Sequence, residues 1–227
     1  KLNENAAVMS PRYATVNPAA NAGLVEGMKG LFNPTDTISK QFRNGMMGTG
    51  VVGYDEINMS QSIKVHTTGS RAGTILVNGA VSTQGQSTIS IDGLTGATDT
   101  VTVGDVFTIS NVFAVNPQTR ESTGSLQQFV VTAAQTGVSN ALANMAISPP
   151  IYTSTSALAT VNSFPADNAA VTFVGTASTA YPQNMIYHKD AITFATADLV
   201  MPQGVDMAAR ANHNGISMRV VRAYDIN

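Results

Sequence analysis

The residues best suited to proton transfer or metal ligation in this chain are three histidines, His66, His188 and His213. They are too far apart in sequence to show ligand spacing, and none belongs to a recognised metal motif with a second histidine or a carboxylate. His188-Lys189-Asp190 resembles half of an acid–base site, but no Gly-x-Ser-x-Gly elbow accompanies it to supply a nucleophile. Thr37-Ile-Ser-Lys40 sets serine next to lysine and so misses the Ser-x-x-Lys spacing of a penicillin-type nucleophile. Asp55 and Glu56 are adjacent, so on a strand they face opposite sides and cannot share a substrate. A hydrolase would require remote residues such as Asp55, His188 and Ser217 to converge in space.

Binding motifs are equally thin. The glycines of Gly45-Met-Met-Gly-Thr-Gly50 lack the lysine and hydroxyl of a phosphate loop, and no apolar strand precedes them. They read as a flexible join into a strand Val51-Val-Gly-Tyr54. Asn58-Met-Ser60 fits a glycosylation acceptor, a pattern too short to carry weight. Gly104-Asp105 reads as a turn, since glycine admits positive φ and aspartate can bond its own backbone. The expectation is therefore no catalytic, no cofactor-binding and no metal-binding residues, and no cofactor.

Composition narrows the class further. The chain has 227 residues and no cysteine, which excludes disulfides, thiolate metal sites and a cysteine nucleophile. Charged residues make up 11% and the formal net charge is −2, against about 25% charged residues in an average soluble domain. Such a surface is polar through Ser, Thr, Asn and Gln and is poorly protected against association, which suits a chain covered by neighbours or a crowded extracellular setting. The twelve basic residues form no run, so no electrostatic footprint for sequence-specific nucleic-acid binding exists. No apolar stretch approaches the length of a membrane span. Lys1 at the start and the strand-like Ile216–Tyr224 close to the end suggest a fragment of something longer.

The elements that must carry these residues are mostly short strands. Val101 and Val103 alternate with threonines, Phe107 and Ile109 alternate again, and Phe129 and Val131 repeat the pattern, so one face of each strand is predicted to meet a core. Reversals are predicted at Gly104-Asp105, Asn116-Pro117 and Ser122-Thr123-Gly124. Further strands are predicted at Ser62–Gly69, Thr74–Gly79, Ser87–Asp92, Ala170–Val174 and Ile216–Tyr224. Ala146-Ile-Ser-Pro-Pro-Ile-Tyr152 carries two prolines that confine it to an edge or a crossing segment.

Helices are predicted ahead of these strands. Asn17 can cap one over Ala19–Lys29, with Pro18 at its first position and Ala22, Leu24, Val25 and Met28 at helical spacing. A second runs from Thr35 or Asp36 to Asn44, with Ile38 and Phe42 on one face. Lys40 and Arg43 on it are too few to grip a phosphate backbone. Met185–Val200 reads either as a helix over Lys189–Ala197 or as a strand pair.

From Gly69 to about Gly175 the composition changes: beyond Arg71 the sole cation is Arg120, and Thr, Ser, Gly, Val and Ala dominate. The flanks resemble each other more than either resembles this middle. The predicted class is α+β with an inserted all-β barrel or sandwich: residues 1–68 as the first part of a host domain, 69–178 as the inserted antiparallel barrel, and 179–227 as the return to the host, the insert's two ends lying close together.

Several segments resemble a known family. They are Asn17-Pro-Ala-Ala-Asn-Ala-Gly-Leu-Val-Glu-Gly-Met-Lys-Gly-Leu-Phe-Asn-Pro34, Val101-Thr-Val-Gly-Asp-Val-Phe-Thr-Ile109, Ala114-Val-Asn-Pro117, Thr123-Gly-Ser-Leu-Gln-Gln-Phe-Val-Val131, Tyr187-His-Lys-Asp-Ala-Ile-Thr-Phe-Ala195 and Val221-Arg-Ala-Tyr-Asp-Ile226. Together they resemble the major capsid proteins of tailed phages, in the short-tailed-phage group whose Hong Kong 97 type fold carries an inserted β-barrel. The resemblance implies a structural, non-enzymatic shell subunit that forms pentamers and hexamers and encloses double-stranded DNA without sequence-specific binding. It further implies a scaffolding protein during assembly, portal or decoration proteins as neighbours, no membrane, assembly in the bacterial cytoplasm and residence in the virion. Set against that family, the resemblance implies a chain without the N-terminal arm, the long spine helix and the extended loop, its C-terminal part cut short. The alternative expectation is a bacterial extracellular adhesive or binding module, which Ser/Thr/Gly-rich β domains of low charge also suit; a glycan-array signal from residues 70–178 would favour it.

Overall fold

The alternation of Phe107 and Ile109 with polar residues, answered by Phe129 and Val131, folds as expected: all four are fully buried and their strands pair antiparallel, Phe107 opposite Phe129. The structure, a computed structural model, describes residues 1–28, 48–51, 53–96 and 98–224. The chain divides into two compact units, Lys1–His188 and Lys189–Asn227.

The first unit holds a six-stranded sheet in the order β12-β8-β9-β11-β6-β5. Its strands are β5 (Gly73–Val77), β6 (Gln86–Leu94), β8 (Val106–Val115), β9 (Ser122–Val131), β11 (Leu142–Ile151) and β12 (Val171–Phe173). Its two outer strands meet: Leu76 bridges Ala170, the Val77 N–H donates to Ala169 O at 2.9 Å, and the Asn168 N–H donates to Val77 O at 2.9 Å. The sheet thereby curls into a near-closed barrel and leaves little free edge. Inside lie Val77, Ile89, Ile91, Val101, Leu142, Met145 and Ile151 with the stacked pair Phe107 and Phe129, whose ring centroids are 5.6 Å apart. A short ladder of β7 (Thr100–Val101) with β10 (Gln135–Thr136) flanks it.

A second sheet, in the order β14-β1-β3-β2, gathers β1 (Arg12–Val16), β2 (Gly48–Val51), β3 (Tyr54–Met59) and β14 (Met185–His188). β1 runs parallel to β3 and antiparallel to β14, so residues more than 120 positions apart share one sheet. The helix α1 (Pro18–Met28) follows β1. Asn17 caps it as expected, its Oδ1 accepting the Ala20 N–H at 3.2 Å. Ala20, Val25 and Met28 pack on Ala14, Val16 and Ile57. Leu24, expected on that face, is exposed, because the buried side is centred on Asn21. Between the two sheets run β4 (Val65–Thr67) and β13 (Ala180–Pro182), paired antiparallel as a three-rung stem.

The second unit contains a 3-10 turn (Lys189–Ala191) and the hairpin of β15 (Met207–His213) with β16 (Ile216–Arg222). The hairpin turns on Asn214 and Gly215, both at positive φ, the Asn-Gly signature of a tight two-residue turn.

Several expectations change. Among the described residues the chain is mostly β, with one α-helix and a near-closed barrel, which fits the inserted all-β part of the expectation; the predicted helix over 35–44 lies outside the described residues. Val51–Tyr54 is not one strand: Val51 ends β2 and pairs with Tyr54, which opens β3, and Gly53 between them has φ +78°, residue 52 lying outside the described residues. Val103 is 57% exposed, because the Asp105 carboxylate takes the Thr102 N–H and turns the chain out of alternation. Ser122-Thr123-Gly124 belongs to β9, the reversal falling at 116–121, where Asn116 Oδ1 accepts the Gln118 N–H at 2.8 Å. Pro149 and Pro150 sit in β11, an interior strand, at the irregularity where β11 leaves β9 and its register with β6 slips. They occupy the crossing rather than an edge. Met185–Val200 forms β14 and one 3-10 turn, neither the long helix nor a strand pair. The Ser62–Gly69 strand shrinks to Val65–Thr67.

Candidate functional site

Three segments meet where the stem enters the barrel: 66–71, 100–105 and 173–181. Glycine is required at position 69, because any Cβ there would overlap the Thr100 carbonyl and crowd Val101. The close approach lets the Thr100 N–H donate to Ser70 O at 2.7 Å and the Ser178 N–H to Gly69 O at 3.1 Å. Thr68 ties the two chain crossings: its Oγ1 donates to Thr176 O at 2.7 Å and accepts the Thr179 N–H at 3.1 Å. Gly175, at φ +82°, lets Tyr181 fold over the returning turn, where its phenol oxygen accepts the Thr176 N–H at 2.8 Å. That bond holds the Tyr181 phenol below its usual value.

Asp105 is the hub of the junction. Its side chain is fully buried, and its Oδ2 accepts from the Thr102 N–H at 2.9 Å, the Gly69 N–H at 3.2 Å and Arg71 Nη1 at 3.1 Å. Its Oδ1 lies 3.1 Å from His66 Nε2. Arg71, itself buried, donates also to Gly69 O and lays its guanidinium 4.2 Å from the centre of the Phe173 ring. Burial pulls the Arg71 guanidinium below its ordinary value while the Asp105 charge opposes that pull. A buried ion pair of this kind gains specificity more than raw stability, since desolvation offsets much of the attraction. What it does here is fix three chain segments in one arrangement.

This cluster was only half visible in the sequence. Gly104-Asp105 does form a turn, but turn formation uses only part of Asp105. The available signal was Arg71, one of two cations in a long stretch otherwise free of them. A charge kept in such a segment implies a buried partner.

Of the other candidates, Asp55 and His188 both border Ser10, which donates from Oγ to the Asp55 carboxylate at 3.4 Å. His188, opposite Arg12 on β14, lies with its Nε2 3.4 Å from Ser10 O, and the Asp55 carboxylate accepts the Arg12 N–H at 2.7 Å. Asp55 is exposed and Glu56 half-buried on the alternating β3. His213 ends β15 opposite Ile216. Ser217 belongs to the second unit, where its Oγ donates to Asp198 Oδ1 at 2.7 Å. Among the described residues no group of three His, Cys, Asp or Glu is arranged to hold a metal ion, and no helix is long and apolar enough to cross a membrane.

The second unit offers a different kind of site. Its hairpin register puts Ala208, Arg210, Asn212, Ser217, Arg219 and Val221 on one face. The segment 196–200 lines the polar groups of that face: Thr196 Oγ1 accepts the Ser217 N–H at 2.8 Å, and Arg219 Nη1 donates to Val200 O at 2.6 Å. The opposite face carries Met207, Ala209, Ala211, Ile216, Met218 and Val220, with His213 and Arg222 at its two ends. Met218 is 59% and Val220 62% exposed. Large exposed apolar patches of this sort mark interaction surfaces.

The model of the P22 coat protein family, described as gene protein 5, matches residues 3–227. Among solved structures the chain is similar to the CUS-3 coat protein I-domain, at 25% identity over 45% of this chain and 96% of that chain, with a TM-score of 0.34. No curated protein matches.

Proposed function

The chain belongs to the P22 coat protein family and is a major capsid protein, a structural subunit of the phage shell; from that membership we propose how its parts serve assembly. Its partner in the capsid is itself. The observation that carries the reading is the family match from residue 3 to residue 227, which spans both units and every described strand.

The finer reading is a Hong Kong 97 type host domain made of residues 1–68 and 179–227, interrupted by a barrel at 69–178. Pairing of β4 with β13 supports it, since an insertion requires its two ends side by side. Copies assemble as pentamers and hexamers on a scaffolding protein in the bacterial cytoplasm, with portal and decoration proteins as neighbours. The finished shell encloses double-stranded DNA without reading its sequence, and the chain performs no enzymatic step. The sparse charge supports burial against copies, and the open hairpin face supports a surface completed in the assembly.

The test is assembly. The full-length protein expressed with its scaffolding partner is expected to form closed particles by electron microscopy. A product that stays monomeric at high concentration in the presence of scaffold would overturn the reading.

A further inference from the structure

The sequence holds three Asn-Gly pairs: Asn44-Gly45, which lies outside the described residues, Asn78-Gly79 and Asn214-Gly215. In such a pair the following backbone nitrogen reaches the asparagine side-chain amide with least obstruction, because glycine has no Cβ to block the approach. The two described pairs are closely alike. Asn78, Gly79, Asn214 and Gly215 are all exposed, both glycines sit at positive φ, +84° and +79°, and a Cβ added to either would meet nothing within 4 Å.

One hydrogen bond separates them. The Gly79 N–H donates to the Asp167 carboxylate at 2.8 Å, which pins the peptide plane in place. The carboxylate charge also disfavours loss of the proton from that nitrogen, since an anion beside an anion is destabilised. At the hairpin tip neither the Gly215 N–H nor the Asn214 side-chain amide has a hydrogen-bond partner among the described residues. The turn is held from its carbonyl side instead, where Thr196 Oγ1 donates to Gly215 O at 3.1 Å. The Gly215 nitrogen is therefore free to react.

We propose that Asn214 is a self-modifying site, at which the Gly215 nitrogen displaces the side-chain amide and leaves aspartate and isoaspartate at the hairpin tip. The Gly215 nitrogen gives up its proton to water and forms a bond to Asn214 Cγ. The bond from Cγ to the side-chain nitrogen breaks, and ammonia leaves, taking up a proton from water. A second water then opens the cyclic imide. Attack at Cγ restores the ordinary peptide with aspartate, whereas attack at the Asn214 carbonyl carbon routes the chain through the side chain as isoaspartate. Either product adds a negative charge to the tip. Isoaspartate also adds an atom to the backbone of a turn that joins the paired residues His213 and Ile216 through two residues only, so the closing rung of the hairpin is disturbed.

Ageing the full chain at neutral pH and physiological temperature, followed by peptide mapping with mass spectrometry and isoaspartyl-specific methylation, tests this. The peptide holding Asn214 is expected to gain aspartate and isoaspartate about tenfold faster than the peptide holding Asn78, a margin set by the charge-assisted bond that Gly79 must give up. In Asp167→Ala, which frees the Gly79 N–H, Asn78 is expected to convert about tenfold faster than in the wild-type chain, with Asn214 unchanged. The proposal is overturned by an Asn214 peptide that stays unmodified, by equal conversion of the two peptides in the wild-type chain, by aspartate without isoaspartate at position 214, or by an Asn78 rate that Asp167→Ala leaves unchanged. The first three outcomes need only the wild-type chain.

Discussion

The barrel and the second unit are built from similar residues and arrange them in opposite ways. In the barrel Phe107, Phe129, Ile91, Ile109 and Val131 are fully buried, and each large apolar side chain so removed from water contributes about 1.5–3 kcal/mol. The second unit has no buried residue among those described: Phe194 is 75% and Val200 83% exposed. Low charge thus serves two ends. In the barrel it is offset by threonines and serines turned outward around a closed core; in the second unit the apolar residues themselves face outward. The barrel encloses a core of its own, whereas the described residues of the second unit enclose none.

Substitutions can break that contrast or sharpen it. The largest effect is expected from Phe107→Ala, which removes a ring touching both Phe129 and Phe173; about 3–5 kcal/mol should be lost, read as a fall in the chemical-denaturation midpoint. Asp105→Ala leaves the Arg71 charge buried without its partner, and about 3 kcal/mol should be lost on the same measurement. Gly69→Ala forces the junction apart at Thr100, and a loss of about 1–3 kcal/mol in thermal unfolding is expected. Met218→Asp on the open hairpin face should change monomer stability by less than about 0.5 kcal/mol while reducing the yield of closed particles in electron micrographs. A Met218→Asp chain that unfolds as readily as Phe107→Ala, or that assembles normally, would erase the distinction between the two regions.

Much of the barrel could be read from residue order, because period-two alternation at 107–109 and 129–131 directly reports one buried face. The reading failed where side-chain hydrogen bonds override alternation. Val103 leaves the core because Asp105 captures the Thr102 N–H; the reversal expected at Asn116-Pro117 does form, whereas Ser122-Thr123-Gly124, expected to turn, runs on as the start of β9. β1 escaped notice because its partners, β3 and β14, are distant in sequence; Tyr-Ala-Thr-Val is a weak pattern until both neighbours arrive. β15 was missed for a related reason. Its alanines give little alternation, and only the Asn-Gly turn betrays the hairpin. Of the junction, the turn at Gly104-Asp105 was legible; the convergence of His66, Arg71 and Asp105 was not, since three-dimensional proximity of residues 66 and 105 leaves no local trace.

The parallel–antiparallel placing of β1 has a consequence for how the molecule is made. Its flank toward β14 cannot be paired until residues 185–188 have left the ribosome, some 170 positions after Val16, a wait of roughly ten to thirty seconds at ordinary translation speeds. The whole barrel emerges during that interval. A nascent strand with one bare flank is therefore a standing invitation to mispairing in the polysome, where other newborn copies are close by.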